Sequence, residues 1–473
     1  MPDAVAITIL WLFLAGFLVM FMHLGFALVE TGLCRAKNAA HTMSMNLMVY
    51  ALTGLAFWGY GFALGWGNWS HGPSLAGSHS SLGDGTAALD RGFGFGTTAG
   101  TTGKTAAASR YGLLGWKGFF LYGVEDSGVL ALFFFMLVVM SIAATIPTGA
   151  LAERWSWRNF CLYGLWFVLP YCVYANWVWG GGWLAQAGIN WKLGHGAVDF
   201  AGSGVVHALG GIVACAGAIV MGPRLGKYQR GRPQPLPGHH VSMVVAGTLV
   251  LALGWFGLNA GFIFSGPDVS IGVVVINTVL ASVAGAVAAM LTLYAKRMKP
   301  DPTMMCNGLL AGLVAIGAAC AFVDSRFAAL IGAVAGVLVV LSVLFWEKRG
   351  IDDPVGAISI HGVNGIWGLL ALGLFANGQH GAGWNGVVRS DILQRFPADG
   401  VRGLFFGDAS QLAAQLIDIA VVLLFGLAAA YAAFKLSNLL TPLRVSRDTE
   451  REGLDGPEMG ALGYPDFTVT NRL

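Results

Sequence analysis

The chain has 473 residues, and its 27 basic and 24 acidic residues make up 11% of the sequence. Soluble globular domains carry roughly 25% charged residues, and a formal net charge of +3 is too small for binding nucleic-acid phosphates. Together with 56% apolar residues, these values exclude an ordinary soluble enzyme, a disordered chain and a nucleic-acid-binding protein.

Eleven long apolar runs predict eleven transmembrane helices, because about 20 apolar residues span a bilayer. Their approximate ranges are 4–30, 41–65, 127–148, 159–184, 199–222, 241–264, 270–294, 303–322, 325–346, 354–376 and 410–438. Residues 66–126 form a long polar loop between the second and third runs. The 69 glycines, many of them inside apolar runs, indicate closely packed membrane helices. We expect residues 1–440 to form one transmembrane domain and residues 441–473 a cytoplasmic regulatory tail.

The positions of lysine and arginine predict the topology, because positive residues favour the cytoplasmic side of a membrane. Short basic loops follow the first, third, fifth, seventh and ninth runs. These loops contain Arg35, Lys37, Arg154, Arg158, Arg224, Lys227, Arg230, Arg232, Lys296, Arg297, Lys299, Lys348 and Arg349. The alternate loops carry fewer basic residues, mostly within two long loops. We therefore expect the N-terminus outside and the C-terminus inside.

Two intramembrane histidines occur in the same sequence pattern. His207 follows Asp199 by eight residues, and His361 follows Asp353 by eight residues. The fifth and tenth predicted helices, which contain these residues, run in opposite directions, and each aspartate lies at a helix start, where a carboxylate caps free amides. Eight residues place each histidine about 12 Å deep, near the middle of the membrane. Such an arrangement is typical of inverted repeats, here 5+5, with a site at the midplane.

Other interpretations of the two histidines are open at this point. Each could be hydrogen-bonded to a neighbouring helix and have no role in transport. A metal site is a weaker alternative because no intramembrane third ligand lies nearby, and we expect no metal or other cofactor. The neighbouring residues are apolar, which favours a narrow, nearly dry pore over one for a bare ion. They are Val205, Val206, Leu209, Ile358, Ile360 and Val363.

Several short motifs are distributed from about residue 16 to 465. They are Gly32-Leu-Cys-Arg-Ala-Lys-Asn38, Gly149-Ala-Leu-Ala-Glu-Arg154, Trp179-Gly-Gly-Gly182, Asp199-Phe-Ala-Gly202, Gly254-Trp-Phe-Gly-Leu-Asn-Ala-Gly261, Asp352-Asp-Pro354, His361-Gly-Val363 and Glu452-Gly-Leu-Asp455. In these motifs the chain resembles the ammonium transporter family, the Amt/Mep/Rhesus proteins, and its Amt branch in particular. The resemblance implies a homotrimer of eleven-helix protomers, each with its own pore, in the plasma or inner membrane.

The resemblance also implies roles for single residues. His207 and His361 correspond to the family's twin pore histidines, and Asp199 to its structural and electrostatic aspartate. Trp179 corresponds to the outer tryptophan that recruits ammonium, a cation that an indole face stabilises by about 0.5–2 kcal/mol. In the family, bound ammonium is thought to lose its proton, and ammonia and the proton then cross along the histidines. Neutral imidazoles suit this relay because they donate and accept hydrogen bonds.

The predicted entrance differs from the family pattern at three positions. The family's pair of gating phenylalanines falls on Val139 and Leu258, and its ammonium-binding serine falls on Phe262. The outer phenylalanine is kept as Phe135. Because Phe262 lies one helical turn after Leu258 on the same face, we predict that it forms the outer plug beside Trp179. Alternatively, Phe262 faces lipid or a neighbouring helix and has no role.

Two further features concern the predicted cytoplasmic side. His23 and Glu30 share a face of the first predicted helix and are candidates for lining the inner vestibule. We prefer to interpret Glu30 as an ion-pair partner of Arg35 or Lys37 at the membrane interface. The tail motif Glu452-Gly-Leu-Asp455 suggests a surface on which a PII-type signal protein docks.

The sequence therefore predicts transmembrane ammonium transport for nitrogen uptake, with ammonium or ammonia, the lipid bilayer and further copies of the chain as partners. The first alternative is a sensor of the same fold that binds ammonium and conducts poorly. The second is an inverted-repeat transporter for an organic cation. An integral-membrane enzyme is least favoured because no nucleophile–base pair or metal triad lies in the predicted spans.

Overall fold

A computed structural model describes residues 2–67, 92–95, 111–263, 271–387 and 400–466. Helices α1 to α15 are Pro2–Leu33, Ala39–Ala56, Phe62–Trp66, Ser127–Leu151, Trp157–Trp166, Val168–Val178, Ala187–Trp191, Leu209–Met221, Val241–Gly261, Ile271–Ala295, Pro302–Ile316, Ser325–Lys348, Asn364–Phe375, Ala409–Leu440 and Arg447–Glu452. Two short antiparallel hairpins pair β1 (Gly92–Phe95) with β2 (Tyr111–Gly115) and β3 (Tyr228–Gln229) with β4 (Arg232–Pro233). Most of the predicted loop 66–126 lies outside the described residues.

Ten helical stretches within these described ranges are long and apolar enough to span a membrane. They are Ala6–Leu33, Ala36–Trp66, Ser127–Leu151, Trp157–Val178, Ser203–Met221, Val241–Gly261, Ile271–Ala295, Ser325–Lys348, Ile358–Phe375 and Ala409–Leu440. The prediction of a helical, polytopic membrane protein is confirmed. The count of eleven spans, the 5+5 repeat and the orientation of the termini stay predictions.

Eleven spans are predicted from the sequence, whereas ten described helical stretches are long enough to span a membrane. The two counts differ at the eighth predicted run, 303–322. Its helix, α11, has 15 residues, a length of about 23 Å against a hydrocarbon core of roughly 30 Å. The residues after α11 bond to another segment instead of continuing the helix. The carbonyl of Gly317 accepts from the amide of Ala201, and the amide of Ala318 donates to the hydroxyl of Ser203. The helix therefore ends where its backbone joins the segment that follows Asp199.

Glycine allows close helix contacts in two parts of the bundle. A Cβ added at Gly254 of α9 would lie 2.2 Å from Cγ of Met22 on α1. A Cβ added at Gly332 of α12 would lie 2.0 Å from the carbonyl oxygen of Ala281 on α10. Any side chain at these positions would push the helices apart, so glycine permits the close packing of backbones that membrane helices use.

The tail packs across loops at one end of the bundle, and we call this surface the tail face. Three tail carboxylates accept hydrogen bonds from backbone amides at the starts of α2 and α5 and just after the end of α8. The pairs are Asp455 with His41 at 2.9 Å, Glu458 with Trp157 at 2.7 Å, and Glu450 with Leu225 at 2.7 Å. The tail thus joins three loops that are far apart in the sequence.

A buried ion-pair cluster lies beneath the tail face. Arg224 contacts Oε1 of Glu153 at 2.6 Å and Oδ2 of Asp352 at 2.9 Å, and Arg35 also pairs with Glu153. Burial alone raises the pKa of a carboxyl group, but Arg224 and Arg35 hold the pKa of Glu153 below its usual value. Arg224 and Arg154 similarly lower the pKa of Asp352. The cluster therefore stays ionised while it holds the loops together.

Replacing Arg224 by alanine is expected to destabilise the folded protein by about 3–5 kcal/mol, because two buried carboxylates lose their shared partner. Thermal unfolding of the purified protein measures the effect. Arg326→Ala is the matched control, since Arg326 forms an exposed pair with Asp324 and should leave the melting temperature unchanged. Equal melting temperatures for wild type and Arg224→Ala would contradict the assigned role.

The same cluster predicts a pH dependence of stability. The pKa values of Glu153 and Asp352 are lower in the folded than in the unfolded state, where carboxyl groups titrate near pH 4. The stabilisation is therefore complete above that pH and is lost as the pH falls towards the folded-state pKa values. Acidification below about pH 4 should lower the melting temperature of wild type more steeply than that of Arg224→Ala. Parallel pH curves would argue against this linkage.

Candidate functional site

The structure brings the two intramembrane histidines together. His207 lies in a π-helical turn, Ser203–Ala208, that leads into α8, and His361 lies in a second π-helical turn, Ile358–Val363, that leads into α13. Their Nδ1 atoms are 3.1 Å apart and both side chains are buried. One Nδ1 must donate and the other accept, so the two rings share one proton at this contact.

Asp199 caps the turn that carries the first histidine. Its carboxylate accepts hydrogen bonds from the backbone amides of Gly202, Gly204 and Val205 at 3.0, 2.8 and 2.8 Å. Gly202 has a φ of 96°, a conformation that glycine adopts without steric cost. The chain therefore turns sharply after Asp199 and points its free amides back at the carboxylate.

Asp353 caps the second histidine turn in the same way. It accepts hydrogen bonds from the amides of Val355, Gly356 and Ile358 at 3.3, 2.9 and 2.7 Å. Gly356 has a φ of 83° and occupies the same offset from its aspartate as the glycine of the first turn. The full motif is Asp-x-x-Gly-x-x-x-x-His. The Asp–His spacing is part of the sequence prediction, whereas the shared glycine is not, although it is visible in both copies.

Two aromatic side chains that the sequence did not single out contact the histidines. The indole of Trp255 stacks on His207, with centroids 5.0 Å apart and planes 20° apart. The ring of Phe26 lies 5.9 Å from that of His361. Trp255 lies inside one of the quoted motifs, whereas Phe26 carries no sequence signal. Within the described residues, Nε2 of His207 is buried and has no hydrogen-bond partner.

Three residues predicted for the entrance form an aromatic cluster. The ring of Phe262 lies 4.8 Å from that of Trp179 and 5.2 Å from that of Phe135. Phe262 is 2% exposed, so it does not face lipid; the alternative in which it packs against a neighbouring helix and has no role stays open. The indole of Trp179 donates to the carbonyl of Asp199 at 2.6 Å. The aromatic cluster is thus connected directly to the first capped turn.

Val139 and Leu258, the residues at the family's gating positions, are both fully buried. Val139 lies on α4 one turn after Phe135, and Leu258 lies on α9 one turn before Phe262. Neither carries a ring. The aromatic contacts of this region are therefore made one turn away from these two positions.

The interpretation of Glu30 as an ion-pair partner is wrong. Its carboxylate accepts hydrogen bonds from Asn46 at 2.7 Å and from the hydroxyl of Thr148 at 2.8 and 3.0 Å. Arg35 and Lys37 follow the end of α1 and bind loop and tail residues of the tail face instead. Glu30 is 2% exposed, so it is a buried carboxylate held by uncharged side chains.

Other buried polar groups lie outside the histidine pair. Nε2 of His23 is 2.8 Å from the hydroxyl of Ser141. Asp418 on α14 accepts a hydrogen bond from Tyr174 at 2.8 Å, and sequence analysis missed it because it stands alone in an apolar run. Among the residues that the structure describes, no group of three or more His, Cys, Asp or Glu side chains is placed to hold a metal ion.

Fold and site together define an integral membrane protein with a paired histidine site between capped turns. The chain matches the model of the Ammonium Transporter Family over residues 10–464. Ammonium transporter Amt2 of Archaeoglobus fulgidus is 40% identical over 465 residues, which cover 97% of this chain and 88% of that protein. Ammonium transporter Amt1 of Haloferax mediterranei is 32% identical over 488 residues, which cover 98% of this chain and 81% of that protein. The chain therefore belongs to the Ammonium Transporter Family.

Solved structures agree with this assignment. A protein described as Sensor Amt Protein superposes with a TM-score of 0.78 at 29% identity, covering 97% of this chain and all of that one. Mep2 of Candida albicans superposes with a TM-score of 0.74 at 24% identity, covering 98% of this chain and 92% of that one. At this level of identity the match supports the fold alone. The resemblance to the Amt proteins is confirmed, and the relatives are named as transporters, not as enzymes.

Proposed function

We propose that this chain conducts ammonium across a cell membrane through a pore that His207 and His361 line. Ammonium is recruited outside near Trp179 and is deprotonated, and the ammonia and the proton then pass the histidine pair. The observation that carries this proposal is the 3.1 Å contact between the two Nδ1 atoms inside an apolar bundle. A shared hydrogen bond keeps one lone pair available, so the pair can take up and release a proton.

Electrical recording on a supported membrane that contains the purified protein tests this function. An ammonium pulse is expected to produce a transient current, and methylammonium a smaller one. Potassium should produce none, because the apolar walls offer a bare ion no ligands. Absence of an ammonium current would overturn the proposal.

The same measurement distinguishes transport from the main alternative, a sensor that binds ammonium and conducts poorly. The replacement of the family's serine by Phe262 and the similarity to a protein described as a sensor both favour keeping this alternative. A sensor would bind ammonium, as measured by calorimetry, without carrying current. A current with choline and none with ammonium would instead support an organic-cation transporter.

We infer a homotrimer of eleven-span protomers in the plasma or inner membrane, with residues 1–440 as the transmembrane domain. The N-terminus lies outside and the tail inside, which the excess of Lys and Arg in alternate short loops supports. The two Asp-x-x-Gly-x-x-x-x-His copies support a 5+5 inverted repeat. A C-terminal reporter that is active only in the cytoplasm tests the orientation, and mass measurement in detergent tests the trimer.

The tail at 441–473 is proposed to regulate transport and to bind a PII-type signal protein. Its motif Glu452-Gly-Leu-Asp455 lies where the tail crosses the loops, and Arg451 and Glu452 are exposed there. We expect a pull-down with the organism's PII protein to succeed in at least one nucleotide state and to fail after deletion of residues 444–473. Lack of binding in every nucleotide state would count against this partner.

Phe262 is proposed to act as the outer plug and to bind ammonium through ring faces alone. Phe262→Ser restores a hydroxyl and should tighten the apparent ammonium affinity of the current by about fivefold, which corresponds to a hydrogen bond of about 1 kcal/mol. Phe262→Leu removes the ring without adding a donor or acceptor and should not tighten it. If both variants behave like wild type, Phe262 does not contribute to recruitment.

A further inference from the structure

The buried carboxylate of Glu30 lies beside the chain segment that leads to the histidine pair. The ring of Phe26, one turn earlier on α1, lies 5.9 Å from that of His361, and four residues advance a helix by about 6 Å. A Cβ added at Gly149 would lie 2.9 Å from Oε1 of Glu30 and 2.6 Å from Val355. Glu30 therefore lies next to the segment that follows Asp353.

Glu30 and the aromatic cluster lie on opposite sides of the histidine pair. Trp179 bonds to the carbonyl of Asp199, before the first histidine turn. Glu30 lies four residues before Cys34, whose carbonyl accepts a hydrogen bond from the amide of His239, in the loops of the tail face. Glu30 thus lies between the histidine pair and the loops of the tail face.

The hydrogen bonds of Glu30 suit a group that changes its protonation state. Asp353 is held by three backbone amides, which can only donate and so require a carboxylate. Glu30 is held by a hydroxyl, which can turn to donate or accept, and by the side-chain amide of Asn46. Oδ1 of Asn46 is buried and has no hydrogen-bond partner within the described chain, so an acceptor lies close to the carboxyl group.

A cation partner for this carboxylate is also missing from the described part of the chain. An isolated buried carboxylate costs several kcal/mol and tends to take up a proton. The structure thus holds a buried carboxylate near the histidine pair that the proposed pathway does not use.

We propose that Glu30 is the proton acceptor on the tail-face side of the histidine pair, an inference that rests on the proposed ammonium transport. An N–H bond of ammonium breaks to release ammonia, and its proton passes along the histidine pair and adds to an oxygen of the Glu30 carboxylate, giving a neutral carboxylic acid. Transfer of that proton to water on the far side restores the carboxylate and yields hydronium. One proton thus crosses for each ammonia, and Glu30 ends each cycle unchanged.

The test uses the purified full-length protein in the supported-membrane assay. Glu30→Gln is expected to reduce the ammonium current at least tenfold, because the amide keeps the shape and cannot carry the proton. Glu30→Asp should retain part of the current. Glu125→Gln, at an exposed position, is the matched control and should behave like wild type. A wild-type current in Glu30→Gln would overturn the proposal.

Infrared difference spectra provide a readout that does not depend on current. Adding ammonium should change a protonated-carboxyl band in wild type, and this band should be absent in Glu30→Gln and shifted in Glu30→Asp. The same band change in Glu30→Gln as in wild type overturns the role of Glu30. A band change that depends on Glu30 in a protein without ammonium current supports the proton acceptor and overturns transport. If Glu30→Gln fails to fold, the shift in Glu30→Asp decides.

Discussion

Replacing either His207 or His361 by alanine is expected to reduce the ammonium current to the background of empty membranes, while the protein still assembles. Each ring is one partner of the shared Nδ1 hydrogen bond, and the residues around the pair are apolar. Without the second imidazole, the remaining ring loses the partner with which it shares the proton, and a buried polar or charged group without a partner costs several kcal/mol. Each 1.36 kcal/mol lowers a rate tenfold, so the loss should exceed a hundredfold.

Size-exclusion chromatography shows whether each alanine variant keeps the oligomeric state of wild type. His380→Ala is a suitable control, because His380 lies in a loop outside the candidate spans. A wild-type current in either pore variant would rule out the assigned pathway. If an ammonium current persists but no longer varies with the proton gradient, the variant has uncoupled the movement of ammonia from that of the proton.

Gly211→Ala is expected to remove the current and to lower stability, although it changes no polar group. A Cβ at Gly211 would lie 2.1 Å from the backbone nitrogen of Gly362, the residue after His361. Backbone atoms cannot rotate away as a side chain can, so α8, which contains Gly211, and the second histidine turn must separate. Overpacking in a close-packed interior costs roughly 1–3 kcal/mol, and a shift of 1 Å is enough to break a hydrogen bond.

Thermal unfolding and the supported-membrane current measure the two effects of Gly211→Ala. Gly272→Ala, on α10, is the matched control, because a Cβ there meets no atom within 4 Å. It should leave both quantities unchanged. Wild-type stability and current in Gly211→Ala would mean that the contact between α8 and the second histidine turn does not hold the histidines in place.

The sequence predicted the helical membrane class and the pairing of the histidines because both depend on regular patterns. Apolar runs of fixed length define helices, and the repeated spacing from Asp199 to His207 and from Asp353 to His361 marks equivalent positions. The capping contacts follow from helix geometry, since a carboxylate at a helix start meets free amides. These inferences needed no knowledge of which helices touch.

The features that the sequence did not predict correctly are contacts between elements that are distant in sequence. Arg35 is close to Glu30 along the chain, yet it binds Glu153, which lies 118 positions further along the sequence. Helix α11 ends early because its backbone bonds to the segment after Asp199, an interaction that no local pattern reveals. Trp255 and Phe26 contact the histidines through packing alone. Hydrophobic periodicity carries no information on such partners.

The histidine pair joins residues 154 positions apart, and this separation has a consequence for biogenesis. When the ribosome has delivered the fifth predicted helix to the membrane, His207 is already within the bilayer but the helix of His361 has not been synthesised. The ring of His207 then lacks its final hydrogen-bond partner, and a buried polar group without a hydrogen-bond partner costs about 1–3 kcal/mol. The insertion machinery or a trapped water molecule must therefore serve as a temporary hydrogen-bond partner for His207 until the second half of the chain is inserted. The hydrogen bond between the two rings can therefore form only after the second half of the chain has been inserted.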